Sequence, residues 1–182
     1  MNKNIGLFWL RDDFRITKNY GLYEATKSHT EVVVFYLYKE SSYQNQEAQK
    51  WWLSKSLLNF KKKLNELNIS LEIIKADSYK FFFDKLFINK NISLYWNKVY
   101  EPDYLKFDEY LSKNLQERDI HFKICKGNSL NEIEEIKKID GTPFKVFTPF
   151  WRNAEKYYIE KIPPKVKVVK KCLKKKLFFK NC

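Results

Sequence analysis

Two stretches hold the residue types that could do chemistry. WLRDDFRI, residues 9–16, sets Arg11 and Arg15 around Asp12 and Asp13. Alternating guanidinium and carboxylate groups can bind a polar ligand. The same spacing also makes a salt-bridged turn that orders a loop and packs against another domain. YWNKVYEPDY, residues 95–104, combines aromatic rings with Glu101 and Asp103. Rings beside a carboxylate suit a flat heterocycle that carries N–H donors. The plainer reading is a strand end followed by a proline turn. Trp51 and Trp52 are adjacent, so a helix would point them about 100° apart. Core packing is the expectation for both, with one of them nearer the helix edge.

Other chemistries find little support. The four glycines, Gly6, Gly21, Gly127 and Gly141, form neither GxGxxG nor a P-loop. Cys125, Cys172 and Cys182 are an odd, widely spaced set with no CxxC. With only His29 and His121 besides, no metal site is expected. A Cys–His nucleophilic pair has no neighbouring motif to support it. No run of about 18 apolar residues exists, so no membrane span is expected. The N-terminus lacks a signal-peptide cleavage pattern. These features point to a cytoplasmic protein.

The net charge of +13 invites a nucleic-acid reading. It is unevenly placed. Residues 161–182 hold nine lysines and no acid, which leaves +4 for the first 160 residues. Lysine supplies all the basic residues except Arg11, Arg15, Arg118 and Arg152. A chain also rich in Asn, Ile and Phe suggests AT-rich coding, so each retained arginine says more than any lysine.

Hydrophobic patterning supplies the elements that must position these groups. IGLFWL (5–10) and VVVFYLY (32–38) are continuous apolar runs, as expected of parallel strands covered on both faces. SLEIIK (70–75), SLYW (93–96) and HFKIC (121–125) are further strand candidates. Helices are expected over 20–28, 47–67, 77–88 and 103–115. In the second, Trp52, Leu53, Ser56, Leu57, Phe60 and Leu64 form one stripe opposite lysines. Alternation of strand and helix predicts a doubly wound, five-stranded parallel sheet of order 3-2-1-4-5, with helices on both faces. Residues 141–149 read as a loop and 150–160 as a helix, ended by the IPP of 162–164. In such sheets ligands bind beyond the carboxyl ends of the strands. That places residues 11–19, 38–49 and 97–104 around any pocket.

NIGLFWLRDDFRITKNYGLYEA resembles the opening strand and loop of the DNA photolyase/cryptochrome family, whose usual pattern is W-F-R-x-D-L-R-x-x-D-N-x-x-L. Trp9, Arg11, Asp13, Arg15, Asn19 and Leu22 match. Phe14 replaces the usual Leu, and Lys18 the usual Asp. AQKWWLSKSLLNFKKKLNELNISLEII resembles the family's second helix and third strand. YWNKVYEP resembles the end of the fourth strand, and GTPFKVFTPFWRNAEKYY the segment closing the N-terminal domain. The matches come in the family's order, and the likeness is strongest to bacterial cyclobutane-dimer photolyases.

The resemblance implies an α/β antenna domain over 1–160 and the start of an interdomain linker over 161–182. In the family this domain carries, when present, a light-harvesting folate, deazaflavin or flavin. It passes excitation to FAD in a larger helical domain, which binds damaged DNA and splits the pyrimidine dimer. No stretch here resembles that FAD domain, so no catalytic residue is assigned. FAD is not expected to bind, and the chain by itself is expected to be a truncated, inert portion of a light-driven repair enzyme. Antenna-lining positions carried over from the family are Arg11, Tyr36, Tyr38, Trp51, Lys55 and Glu101. Asp103 and Tyr104 stand where folate-binding members hold an Asn–Glu pair. This weakens folate and leaves a deazaflavin, a flavin or an empty site open. Asp13, Arg15, Asn19, Phe147, Pro149, Trp151 and Arg152 are expected to order the loop or face the helical domain. Without that domain, exposed apolar surface predicts self-association. A cryptochrome-like photoreceptor and a stand-alone ligand- or protein-binding module are the alternatives.

The lysine-rich tail has two readings. It could bind DNA phosphates. The reading favoured from sequence is a solvated linker, although LFF (177–179) suits a segment that docks.

Overall fold

The computed structural model describes residues 5–88, 91–127, 129, 131, 132, 135–157, 165–170 and 179. The chain divides into two compact units, 1–127 with 164–182, and 128–163. The first holds strands β1 (Ile5–Leu10), β2 (Val32–Tyr38), β3 (Ser70–Lys75), β4 (Ile92–Asn97) and β5 (Phe122–Cys125). Between them run helices α1 (Tyr20–Ser28), α2 (Glu47–Glu66), α3 (Tyr79–Leu86) and α4 (Pro102–Glu117). All strand pairs are parallel and the order is β3-β2-β1-β4-β5. This is the five-stranded, doubly wound sheet that the alternating pattern predicts. A 3-10 turn over Glu40–Tyr43, absent from the sequence expectation, joins β2 to α2.

Side-chain alternation splits the core between the two faces of the sheet. Leu7, Trp9, Val33, Phe35, Leu94 and Trp96 face α3 and α4, where they meet Phe82, Phe83, Leu86, Leu111 and Leu115. Phe8, Leu10, Val32, Val34 and Tyr95 share the other cluster with Leu22 and Ala25 of α1 and Leu57, Phe60 and Leu64 of α2. The central strands β1 and β4 are buried throughout, and only the last residue of β2 is partly open. Edge strands β3 and β5 are buried on fewer positions. A covered central strand must be apolar on both faces, which is why its sequence runs continuously rather than alternating.

Helix ends follow local chemistry. Asn19 caps α1 by accepting from the Leu22 N–H at 3.0 Å, and Ser78 caps α3 by accepting from the Phe81 N–H at 3.3 Å. Pro102 stands in the first turn of α4, where its missing N–H costs nothing.

Three expectations are corrected. Trp51 and Trp52 are both exposed, at 58% and 67%, so neither is core. The buried face of α2 is Leu57, Phe60 and Leu64. The tryptophans precede it in the first turns of α2, and their rings lie 6.0 Å apart. The solvated linker is corrected for residues 165–170, since Val166 and Val169 are buried in the α1/α2 cluster. Phe179 packs on Phe35 and Phe82 of the opposite cluster. Finally, the second unit contains α5 (Phe147–Tyr157), which starts inside the stretch read as a loop. Pro149 lies in its first turn, a position that tolerates proline. The ends of the 150–160 helix and the IPP stop lie outside the described residues. No helix among the described residues is long and apolar enough to cross a membrane.

Candidate chromophore cleft at the carboxyl edge

Arg11, the first residue beyond β1, does not reach into solvent. Its guanidinium donates to Asp108 of α4 through both terminal nitrogens, Nη1 to Oδ2 at 3.2 Å and Nη2 to Oδ1. Both residues are buried. The guanidinium also lies 4.0 Å from the centre of the Trp9 ring and 5.1 Å from that of Tyr104. A planar fork between a carboxylate and two rings is a rigid pillar between β1 and α4. Its Nε and the Trp96 Nε1 are buried without a hydrogen-bond partner among the described residues.

The loop after Arg11 is tied down by side chains. Arg15 donates through Nε and Nη2 to Asp13 at 2.6 and 2.8 Å. Asn19 Nδ2 donates to the Arg15 carbonyl at 3.0 Å. Asn97, at the end of β4, donates to Asn19 Oδ1 at 3.0 Å and accepts from the Gly21 N–H at 2.8 Å. Gly21 must be glycine, because a Cβ there would lie 2.6 Å from Asn97 Oδ1 and 2.7 Å from the Phe8 ring. This knot fills the space between β1 and β4, the switch point of the sheet, and leaves the open cleft beside β1 and β2.

That cleft has two adjoining parts. The inner part is narrow, about 60 Å³, and is lined by Arg11, Asp12, Tyr36, Lys39, Ser42, Tyr43, Tyr79 and Tyr104. The outer part, about 540 Å³, runs along α2 past Asp12, Phe14, Tyr36, Tyr43, Gln49, Trp52 and Ser56. Only the outer part is large enough for a small aromatic cofactor, and the inner part has room for an edge group of one. The Tyr36 and Tyr43 hydroxyls are 3.2 Å apart, and Tyr43 stacks on Tyr38 with centroids 5.6 Å apart and planes 12° apart. Burial pushes the Tyr36, Tyr79 and Tyr104 phenols up, so all three stay protonated donors. Burial also raises the Asp12 carboxyl, helped by the charge of Glu101 and opposed by Arg11.

The structure brings Arg11, Tyr36 and Tyr104 to the inner cleft, with Tyr38 stacked behind its Tyr43 wall. Trp51 and Lys55 do not line either part. They pair with each other, Lys55 Nζ 5.7 Å from the Trp51 ring centre. Their neighbour Trp52 takes the position at the outer wall. Glu101 precedes α4 and Asp103 lies in its first turn, both exposed and neither on the lining. Sequence reasoning placed Asp12, Tyr43 and Asn97 only within the ranges around any pocket, without a role, and missed Tyr79 and Asp108. Asp12 stood inside the quoted RDD motif, whereas nothing local marks Tyr79 or Asp108. In the second unit, Phe147 and Trp151 are exposed and stacked, with centroids 6.2 Å apart. Pro149 and Arg152 on the same helix are also exposed. Cys125 is buried and its thiol pushed up to about 11, which leaves it a poor nucleophile. Cys172 and Cys182 lie outside the described residues. Among the described residues no cluster could hold a metal ion.

The chain is thus a doubly wound α/β domain with an aromatic-lined cleft beyond its strand ends. The DNA photolyase family model matches residues 6–167, and the chain belongs to that family as its N-terminal α/β domain. It is 27% identical over 149 residues to the deoxyribodipyrimidine photo-lyase of Agrobacterium fabrum, covering 82% of this chain and 31% of that one. The fold is similar to that of a bacterial class III photolyase from Agrobacterium tumefaciens, with a TM-score of 0.77 and 23% identity over 93% of this chain and 36% of that one. It is also similar to an archaeal photolyase from Sulfolobus tokodaii with two FAD molecules, with a TM-score of 0.75 and 22% identity over 91% and 37% of the two chains. The chain thus spans about a third of the length of these relatives.

Proposed function

We propose that this domain holds a planar light-absorbing heterocycle in the cleft beside β1 and β2, as the antenna of a photolyase-type light-driven repair protein. The observation that carries the reading is the cleft itself. Protonated tyrosines, a carboxylate and an exposed tryptophan converge there at the carboxyl edge of the sheet. The orphaned Arg11 Nε at the cleft floor fits a hydrogen-bond acceptor on a bound group. Asp12 fits a ring N–H. When bound, the heterocycle supplies absorption and excitation energy. The residues of this chain position it: Tyr43 and Trp52 offer faces for stacking, Tyr36 a hydroxyl donor, and the Arg11–Asp108 pillar a fixed floor.

A flavin-type ring is favoured over folate. The structure of the Sulfolobus relative, by its own description, implicates a novel light-harvesting cofactor and contains two FAD molecules. The proposal assigns no photorepair to these 182 residues alone, because none of their side chains is assigned to electron transfer or to a dimer. The test is titration of the purified chain with FMN, FAD, a deazaflavin and methenyltetrahydrofolate, read by ligand fluorescence. Micromolar binding of a flavin-type ring is expected, weakened about tenfold or more by Tyr43→Ala with Trp52→Ala, each stacked ring being worth ~1 kcal/mol. Failure of all four to bind would sink the antenna reading. Repair of dimer-containing DNA by the chain with FAD and light would sink the assignment of inertness.

A further inference from the structure

The described part of the lysine-rich segment is fixed at the opposite edge of the sheet. Val166 and Val169 are buried, at 4% and 7% exposure. The Val169 N–H donates to the Leu67 carbonyl at 3.1 Å and the Lys170 N–H to the Thr30 carbonyl at 2.7 Å. The Lys167 N–H donates to Thr26 Oγ1 at 3.2 Å. With the valines turned inward, Lys165, Lys167 and Lys170 are all exposed. None of the three forms an ion pair among the described residues. Lys170 shares a surface hollow with Lys27 of α1 and with the hydroxyl residues Ser28 and Thr30. The nearest acid in sequence register is Glu31, bridged to Lys170 through the backbone. Glu66 adjoins Leu67 on the other side, and two carboxylates do not offset four ammonium groups.

We propose that this amino-edge strap is a docking surface for the phosphate backbone of duplex DNA. An anchored segment presents its charges without first having to be ordered, so less affinity is lost on binding. Lysines are point charges that suit phosphates, and no arginine stands on the strap to read a base edge bidentately. Its described residues include no aromatic side chain on which unpaired bases could stack, which favours a duplex over a single strand. A membrane surface would call for a broad apolar face, and Val168 is the one exposed apolar residue of 165–170.

The experiment measures binding of the 182-residue chain to an undamaged 20-base-pair duplex by fluorescence anisotropy, from low to moderate salt. The parent is compared with a strap triple, K165E/K167E/K170E, and with a charge-matched triple on α3 and α4, K80E/K106E/K113E. Thermal unfolding checks that all three are folded. The strap triple is expected to lose about tenfold or more in affinity. The slope of log K against log salt should fall by about 2 to 3 units, near 0.9 for each phosphate no longer neutralised. The α3/α4 triple should lose much less. Three results would overturn the proposal: no binding of the parent at low salt, equal losses in both triples, or binding to anionic phospholipid vesicles without binding to the duplex.

Discussion

At the carboxyl edge of the sheet the chain is held by side chains, and at the amino edge by backbone. Arg11–Asp108 and Asn97–Asn19–Gly21 join loops to distant elements through charged and amide groups. The strap of residues 165–170 is joined mainly through carbonyls of Leu67 and Thr30, with one side-chain oxygen, Thr26 Oγ1, and two valines beneath it. Side-chain pillars leave space between them, and that space is the cleft. Backbone pairing over apolar plugs closes the edge and displays what points away. One edge is therefore left open and the other closed, and substitutions at the two edges should fail differently.

The largest effect is expected at the carboxyl edge. Asp108→Ala leaves the Arg11 guanidinium buried without its partner, a loss of about 3–5 kcal/mol by comparison with other broken buried pairs. Urea unfolding should show it, and Asp108→Asn should restore part of it through one retained acceptor. The amino edge should lose less. Val166→Ala with Val169→Ala removes about four buried methylene equivalents, worth ~3 kcal/mol at ~0.8 kcal/mol each. This loss should leave ligand binding at the far cleft intact, and parallel loss of both would break the comparison. A gain is expected at Lys18, which holds φ at +57° just before the Asn19 cap. Lys18→Gly should stabilise by about 0.5–1 kcal/mol in thermal unfolding.

The smallest effect is a matter of sign. The Asp12 carboxyl is raised by burial, so the native state holds its proton more tightly than the unfolded chain. Stability is thus favoured below the usual aspartate range and lost as pH climbs through the raised value. Asp12→Asn should gain on the parent as pH rises across that window, and a gain on acidification instead would reverse the assignment of burial as the main cause.

The fold was legible because a buried parallel strand leaves a continuous apolar run. Ile5–Leu10 and Val32–Tyr38 could be bounded from sequence to the residue, and the sheet order followed from alternation with helices. Parts of the cleft were legible as strand ends, hence Arg11 and Tyr36. Asp108 was not, since it stands 97 positions from Arg11 within an ordinary amphipathic helix. The exposure of Trp51 and Trp52 was hidden because helical spacing gives a face but not which turns along it are covered. The strap was hidden by its charge. Its inward valines lie in a run, KVKVVK, whose lysines dominate any average of hydropathy.

The Lys167–Thr26 bond spans 141 residues. A ribosome adding ~5–20 residues per second needs roughly 7–28 s to cover that span. α2 ends at Glu66, about 100 residues before Val166, so β2, α1 and α2 are complete for roughly 5–20 s of that time with the seat of Val166 and Val169 still empty. The nascent chain thus shows an apolar slot at one end of a forming sheet well before its own plug is translated. A holdase chaperone would have its opportunity in that interval, which closes when residues 165–170 emerge.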